Sequence, residues 1–269
     1  MLPLRSAVLT MSMAACAAAP AVASADGLSG STKPEDAIAQ AKTALGRVPN
    51  FALRGSETDK DGTTKLAGSF TSSGPVDVVI NSGGATAHLI ALPKAVYIKG
   101  NSAYWKQVLS KKEASLASKL AGRWIKESAK AGRDATAGFG DLSPKHTASC
   151  LDSHVGTLTN KGEKTVGGRK VIVLADAGDK PGTAPGQLWL DEETALPVRQ
   201  VQTGPAKPGG RKDSACDDGD GPDTTKKPDF TLSKFGKAPK IVAPKHAVSP
   251  KQAVGGSGGS GGDGGSTPV

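Results

Sequence analysis

From Phe51 onward the apolar residues recur at every second position, in short runs separated by Gly, Asp, Asn and Pro, and this alternation constrains the fold more than any other feature of the chain. Phe51 and Leu53 open the series. Leu66, Gly68 and Phe70 follow, then Val76, Val78 and Ile80, then His88, Ile90 and Leu92. The separating clusters lie at 59–62, 72–75 and 81–84. Period two sends successive side chains to opposite faces of a strand, so each run has one apolar face to bury. Runs joined by such short turns predict an antiparallel meander.

Residues 95–99 and 102–106, around Gly100-Asn101, have hairpin spacing. A second meander is expected over 156–166, 170–175, 186–191, 196–203 and 229–235. Between its last two strands, 204–228 form a loop rich in Pro, Gly and Asp that contains Cys216. A loop of that length in a compact domain is pinned or functional.

Helical sequence flanks and interrupts the strands. A first helix is expected from near Thr32 to about Leu45, because Thr32-Lys33-Pro34-Glu35 has capping-box spacing and Ile38, Ala41 and Leu45 form a stripe. Leu116 and Leu120 stand at i, i+4 within 111–120, and Trp124-Ile125 adds apolar weight beyond Gly122. Residues 139–155 read as another helical stretch, with Pro144 near a turn or helix start; together these segments would form a lid. Lys106, Lys111, Lys112, Lys119, Arg123, Lys126, Lys130 and Arg133 make this region basic, which suits either anionic headgroups or a solvated helix face.

The N-terminus reads as an export signal. Arg5 precedes the apolar run 7–13, too short to span a bilayer, and Met13-Ala14-Ala15-Cys16 then has the form of a bacterial lipoprotein cleavage site. Residues 1–15 would be removed, Cys16 would carry the acyl chains, and 16–32, rich in Ala, Ser, Gly and Pro, would be the lipidated tether. Ala23-Ser24-Ala25 before Asp26 is a rival site, and cutting there would release a soluble secreted protein. The expected location is thus the outer face of the cell membrane, or the exterior if the second site is used. From Pro244 the chain is low in complexity and ends in GGSGGSGGDGGSTPV, so 244–269 are expected to be disordered. That leaves 33–243 as one domain.

The chain has three cysteines, Cys16, Cys150 and Cys216. In an oxidising compartment Cys150 and Cys216 can pair, leaving Cys16 as the odd thiol that lipidation requires. His146, Cys150 and His154 stand at i, i+4 and i+8, a spacing that on a continuous helix would also suit a metal site or an activated thiol. A disulfide is the simpler account, and it would staple the long loop to the helical lid.

The formal charge is +9, and loss of Arg5 with the leader lowers it by one. Such a surplus suits phospholipid or cell-wall polymer outside the cell, or simply a soluble exterior. Aromatics are few and no nucleic-acid motif is present, so no nucleic-acid partner is expected. Gly256-x-Gly258-x-x-Gly261 matches a dinucleotide fingerprint but has no strand before it and no helix after it. Asp217, Asp218, Asp220 and Asp223 miss calcium-loop spacing and read as a solvated acidic turn. No nucleophile elbow, Walker loop or partnered carboxylate pair is found, so neither catalysis nor a cofactor or metal is expected.

Phe51-x-Leu53-x-Gly55, Val96-Tyr97-Ile98-Lys99-Gly100 leading into Tyr104-Trp105, Gly122-Arg123-Trp124-Ile125, Gly186-Gln187-Leu188-Trp189-Leu190-Asp191 and Leu196-Pro197-Val198-Arg199 occur in that order. With them the chain resembles the actinobacterial lipoprotein family of LppX, LprG and LprA, and more distantly the LolA-type lipoprotein carriers. The resemblance implies an α+β fold: a strongly curved antiparallel sheet, a half-open barrel, with helices over its concave face and a cavity between them for acyl chains. It also implies a monomer that is not an enzyme and that binds or carries acyl lipids or lipidated glycans at the membrane. The disulfide, the 204–228 loop and the Gly/Ser tail depart from the family pattern. Candidate cavity residues are Phe70, Val78, Ile80, Ile90, Ile98, Leu116, Leu120, Leu188 and Leu190, each of which could equally be packed core. A ligand-free interaction or stress-sensor module on the same fold is the alternative.

Overall fold

The computed structural model describes residues 27–153, 155–209, 216 and 226–255. Strands β1 (Asn50–Asp59), β2 (Gly62–Thr71), β3 (Val76–Ser82), β4 (Ala85–Leu92) and β5 (Ala95–Gly100) pair in succession, and the two-residue strand β6 (Ile125–Lys126) closes that side. The second meander comprises β7 (Leu158–Val166), β8 (Arg169–Ala177), β9 (Pro185–Asp191), β10 (Pro197–Gln202) and β11 (Lys227–Ser233). β11 also pairs with β1, which joins the two meanders into one antiparallel sheet of 11 strands, in the order β6-β5-β4-β3-β2-β1-β11-β10-β9-β8-β7. Its edge strands β6 and β7 are not paired with each other, so the sheet is open.

Turn chemistry sets the register. Gly83 and Gly84 both have positive φ (55° and 82°) in a two-residue turn that holds Ser82 opposite Ala85. Ile80 therefore faces Ala87, and Val78 faces Leu89. The apolar face of β4 is Ala87, Leu89 and Ala91, one residue out of step with the expected His88, Ile90 and Leu92, which point to the other side. There His88 Nε2 meets Asp77 Oδ1 at 2.6 Å, and Ile90 packs with Ala95, Tyr97 and Trp124.

The helices are α1 (Pro34–Gly46), α2 (Ser102–Val108), α3 (Ala117–Leu120), α4 (Ala129–Gly138), α5 (Pro144–Cys150) and α6 (Pro250–Val254). α1 begins at Pro34 with Lys33 as an extended cap that makes no side-chain bond; the expected capping by Thr32 does not form, because Thr32 Oγ1 accepts from Ser29 N instead. Glu35 and Asp36 in the first turn oppose the positive end of the helix. The expected strand at 102–106 is α2: Asn101 Oδ1 accepts from Tyr104 N at 2.8 Å, so the residue read as a hairpin turn is a helix cap. Helix in 111–120 is confined to a 3-10 turn at Ala114–Leu116 and to α3. In 139–155, a 3-10 turn at Gly140–Leu142 precedes α5, which Pro144 starts and Ser143 caps. α4 and β6 carry too little apolar patterning to be foreseen. A Cβ at Gly132 of α4 would lie 2.7 Å from the Ala95 carbonyl carbon, a close approach that needs glycine.

The segment 244–255, expected to be disordered, is instead tied down. Val248 bonds Trp124 O and Lys126 N, and Ser249 and Gln252 form a capping box that starts α6 and seats Ala253 among Trp105, Leu120 and Ile125. Residues 256–269 lie outside the described residues.

Two clusters fill the space between helices and sheet. One unites Leu45, Phe51, Leu53, Phe70, Val76, Val78, Leu89 and Phe230 with Leu142 and Ala148; the other unites Leu28, Ala37, Ile38 and Ala41 with Leu151, Ile172, Leu174 and Leu190. α1 contributes to both. Among the described residues no helix is long and apolar enough to cross a membrane.

Candidate functional site

A cavity of about 120 Å³ lies between the helices and the β7–β11 half of the sheet. Ile38 of α1, Leu151 just beyond α5, Val155, and Leu158, Leu174 and Leu188 of β7–β9 supply its apolar wall. Register places Leu174, Leu188 and Gln200 side by side, facing the helices, and Asp176, Gly186 and Gln202 form the next row. Gln200, Gln202, Glu57 and Lys226 give the cavity a polar part that adjoins its apolar wall.

The polar side is held by charge and hydrogen bonds. Lys226 Nζ lies 3.5 Å from Glu57 Oε1, with only 13% and 9% of the two side chains exposed. Gln202 Nε2 donates to both Gly204 O and Lys226 O at 2.8 Å, tying the two ends of the 204–226 loop together. Burial pushes the Asp176 carboxyl above the usual range, and bonds from Gly178 N and Gly156 N pull it partly back. Glu57 is inward because the alternation from Phe51 and Leu53 runs on through Gly55 to Glu57. That signal was available in the sequence, whereas the inward glutamines of β10 had none.

The nine candidate cavity residues do not converge. Phe70 and Val78 are fully buried in the first cluster, with the Phe70 ring 5.8 Å from that of Phe51, and Ile80 and Ile98 pack partly buried against the same cluster. Ile90 is on the opposite face of the sheet. Leu116 and Leu120 belong to a separate cluster with Trp105 and Ile125. Leu190 is buried beneath α1, and Leu188, beside it, lines the cavity.

Cys150 and Cys216 form a disulfide, with Cα atoms 5.9 Å apart, and Cys150 borders the cavity. The bridge pins the long loop against α5. His146 Nε2 stands 3.4 Å from Asp141 Oδ1, and the ligand atoms of His146, Cys150 and Cys216 lie within 4.8 Å of one another. While the sulfurs are bonded together, neither is a thiolate that could ligate a metal or attack a substrate. His154, Cys16, the rival site at Ala25, the acidic turn of Asp217, Asp218, Asp220 and Asp223, and the glycine pattern at 256–261 lie outside the described residues.

No family model matches the sequence, and no curated protein matches it. Among solved structures the chain is similar to LprF from Mycobacterium bovis, at 14% identity over 79% of this chain and 98% of that one, with a TM-score of 0.45. It is similar to the lipoprotein LppX from Mycobacterium tuberculosis at 10% identity over 78% and 100%, TM-score 0.45. A LolA superfamily protein from Nitrosomonas europaea is similar at 8% identity over 78% and 96%, TM-score 0.23. With every one of these scores below 0.5, the likeness bears no weight in assigning a ligand.

Proposed function

We propose that this protein is an exported lipoprotein, anchored through Cys16, that binds an acyl lipid or lipidated glycan between its helices and its sheet. The supporting observation is the cavity under α1 and α5, apolar on the Ile38–Leu151–Leu158–Leu174–Leu188 side and polar on the Glu57–Lys226–Gln200 side. An amphiphile has the same division. At about 120 Å³ the space is smaller than the roughly 300–1,000 Å³ of a ligand pocket, so an acyl chain enters only as α1 and α5 move away from β7–β9. Each methylene taken from water then contributes about 0.8 kcal/mol.

A strongly curved, half-open barrel belongs to this proposal. Eleven strands at about 4.8 Å spacing span roughly 48 Å, whereas three helices of about 10 Å cover roughly 30 Å. A sheet that wraps its inward faces around α1, α4 and α5 accommodates that difference, and the presence of α1 residues in both apolar clusters supports such wrapping.

The dense packing around Phe51 and Phe70, both 0% exposed, favours a second reading, a ligand-free interaction module. Uptake of a fluorescent fatty acid separates the two. The proposal expects saturable uptake that Leu188→Trp abolishes by filling the cavity; no uptake by the folded wild-type chain supports the interaction module instead.

A further inference from the structure

The face of the sheet turned away from α1 carries an open groove of about 600 Å³, lined by β1, β8, β9, β10 and β11 and by the tip of the β7–β8 hairpin. Register brings its polar residues together. Arg54 lies opposite Thr231, Thr231 opposite Arg199, and Arg199 opposite Trp189, while Val166, Gly167 and Arg169 of the hairpin tip form one wall.

Trp189 is the centre of this arrangement. Its Nε1 donates to Gln187 Oε1 at 3.0 Å, which fixes the ring, and two cations stand over that ring, Arg199 Cζ at 5.0 Å and Lys164 Nζ at 5.6 Å from the centroid. Arg199 already donates from Nε and Nη2 to the two oxygens of Asp229, at 3.0 and 2.8 Å. Asp229 is the one carboxylate among the described residues that line the groove, and Arg199 is its partner. Arg54, Arg169 and Lys164 are exposed and have no carboxylate in ion-pair range among the described residues. A groove lined by Arg54, Arg169 and a positioned aromatic ring, with Lys164 standing over that ring at its edge, is complementary to an anion, and guanidinium groups suit phosphate oxygens.

The hairpin tip narrows the choice of anion. Val166 is 45% exposed, one of three large apolar side chains exposed among the described residues, and it sits in sequence between Lys164 and Arg169. A soluble polyanion gains nothing from an apolar apex. A membrane interface takes the apex into the headgroup region while the flanking cations meet the phosphates.

We propose that this groove and the β7–β8 tip dock the domain on an anionic phospholipid surface, with Arg54, Arg169 and Lys164 facing lipid phosphates and Val166 entering the headgroup layer. The docking is independent of any ligand in the cavity beneath α1.

The test uses the full chain with Cys16→Ser, which has no acyl anchor, and measures cosedimentation with vesicles of phosphatidylglycerol mixed into phosphatidylcholine and of phosphatidylcholine alone. Docking predicts a preference for the anionic vesicles that falls with salt, and a loss of about fivefold for each cation replaced, hence roughly 100-fold for Arg54→Ala, Lys164→Ala and Arg169→Ala together. Val166→Ser is expected to weaken vesicle binding while leaving weak binding to dextran sulfate unchanged. Because all four side chains are exposed, these variants should keep the wild-type circular dichroism and melting temperature. Equal binding to both vesicle types, a triple variant that binds like wild type, or tight binding to dextran sulfate without binding to vesicles would each overturn the proposal.

Discussion

Removing the Cys150–Cys216 bridge should cost this domain a large part of its stability. The bridge spans 66 residues, from the end of α5 to the loop between β10 and β11. On the chain-entropy account, closing a loop of about that length removes roughly 15 cal/mol/K from the unfolded chain, or about 4 kcal/mol at 25 °C. The paired variant Cys150→Ala, Cys216→Ala avoids leaving a lone reactive thiol. With a urea slope of about 3 kcal/mol/M, the midpoint should fall by about 1.4 M at unchanged slope. Equilibrium urea unfolding followed by the fluorescence of Trp105, Trp124 and Trp189 measures this directly. The same loop supplies Ala206 and Lys226 to the cavity wall, so the variant should also take up an acyl probe faster. A midpoint shift below about 0.3 M would refute the reasoning, because it would mean that the unfolded chain is no more restricted with the bridge than without it.

Phe70→Ala, at a fully buried position, should lower unfolding stability by about 3–5 kcal/mol, whereas Leu188→Ala in the half-exposed cavity wall should cost clearly less; comparable losses would mean that Leu188 is core. The Arg199 bonds hold the Asp229 carboxyl below its ordinary range, so that side chain adds stability above its unfolded value, lost as pH falls through the lower folded one. Acid titration of Asp229→Asn should show a shallower fall there, by less than about 1 kcal/mol because the pair is partly exposed. Asp176 behaves oppositely: burial raises its folded value, so stability declines as pH rises from 3.8 through that value, and Asp176→Asn should remove the decline in a pH series of urea midpoints. Expressed in a bacterium that lipidates exported proteins, the wild-type chain should incorporate labelled palmitate and Cys16→Ser should not; a mature N-terminus at Asp26 would show that the other site is used.

The strands were legible because each run of alternating residues ends in a turn whose chemistry is equally plain, and β7 to β11 fall close to their expected spans. The inward side of β4 was not, because Ile90 and Leu92 are bulkier apolar residues than Ala87 and Ala91 and draw the eye to the wrong parity. Only the parity imposed by the Gly83-Gly84 turn decides between the two sets. Asn101 was ambiguous for a related reason: the side chain that suits a hairpin turn also caps a helix, and the tertiary setting of α2 against β4 and β5 selects the cap. α4 has few apolar residues and a central glycine, so its helicity is a consequence of packing on β5 rather than of its own pattern. Of the candidate site, the disulfide was legible. The polar wall was not, since Gln200, Gln202 and Lys226 meet Glu57 only once β11 is inserted between β10 and β1.

The central claim is that an amphiphile occupies the space under α1 and α5, and native mass spectrometry of the protein extracted from its own membrane tests it most directly. The account predicts a noncovalent adduct with the mass of an acyl lipid or lipidated glycan, present on the wild-type chain and missing from Leu188→Trp. A wild-type chain that carries its anchor and no other lipid, under conditions in which it remains folded, would contradict it.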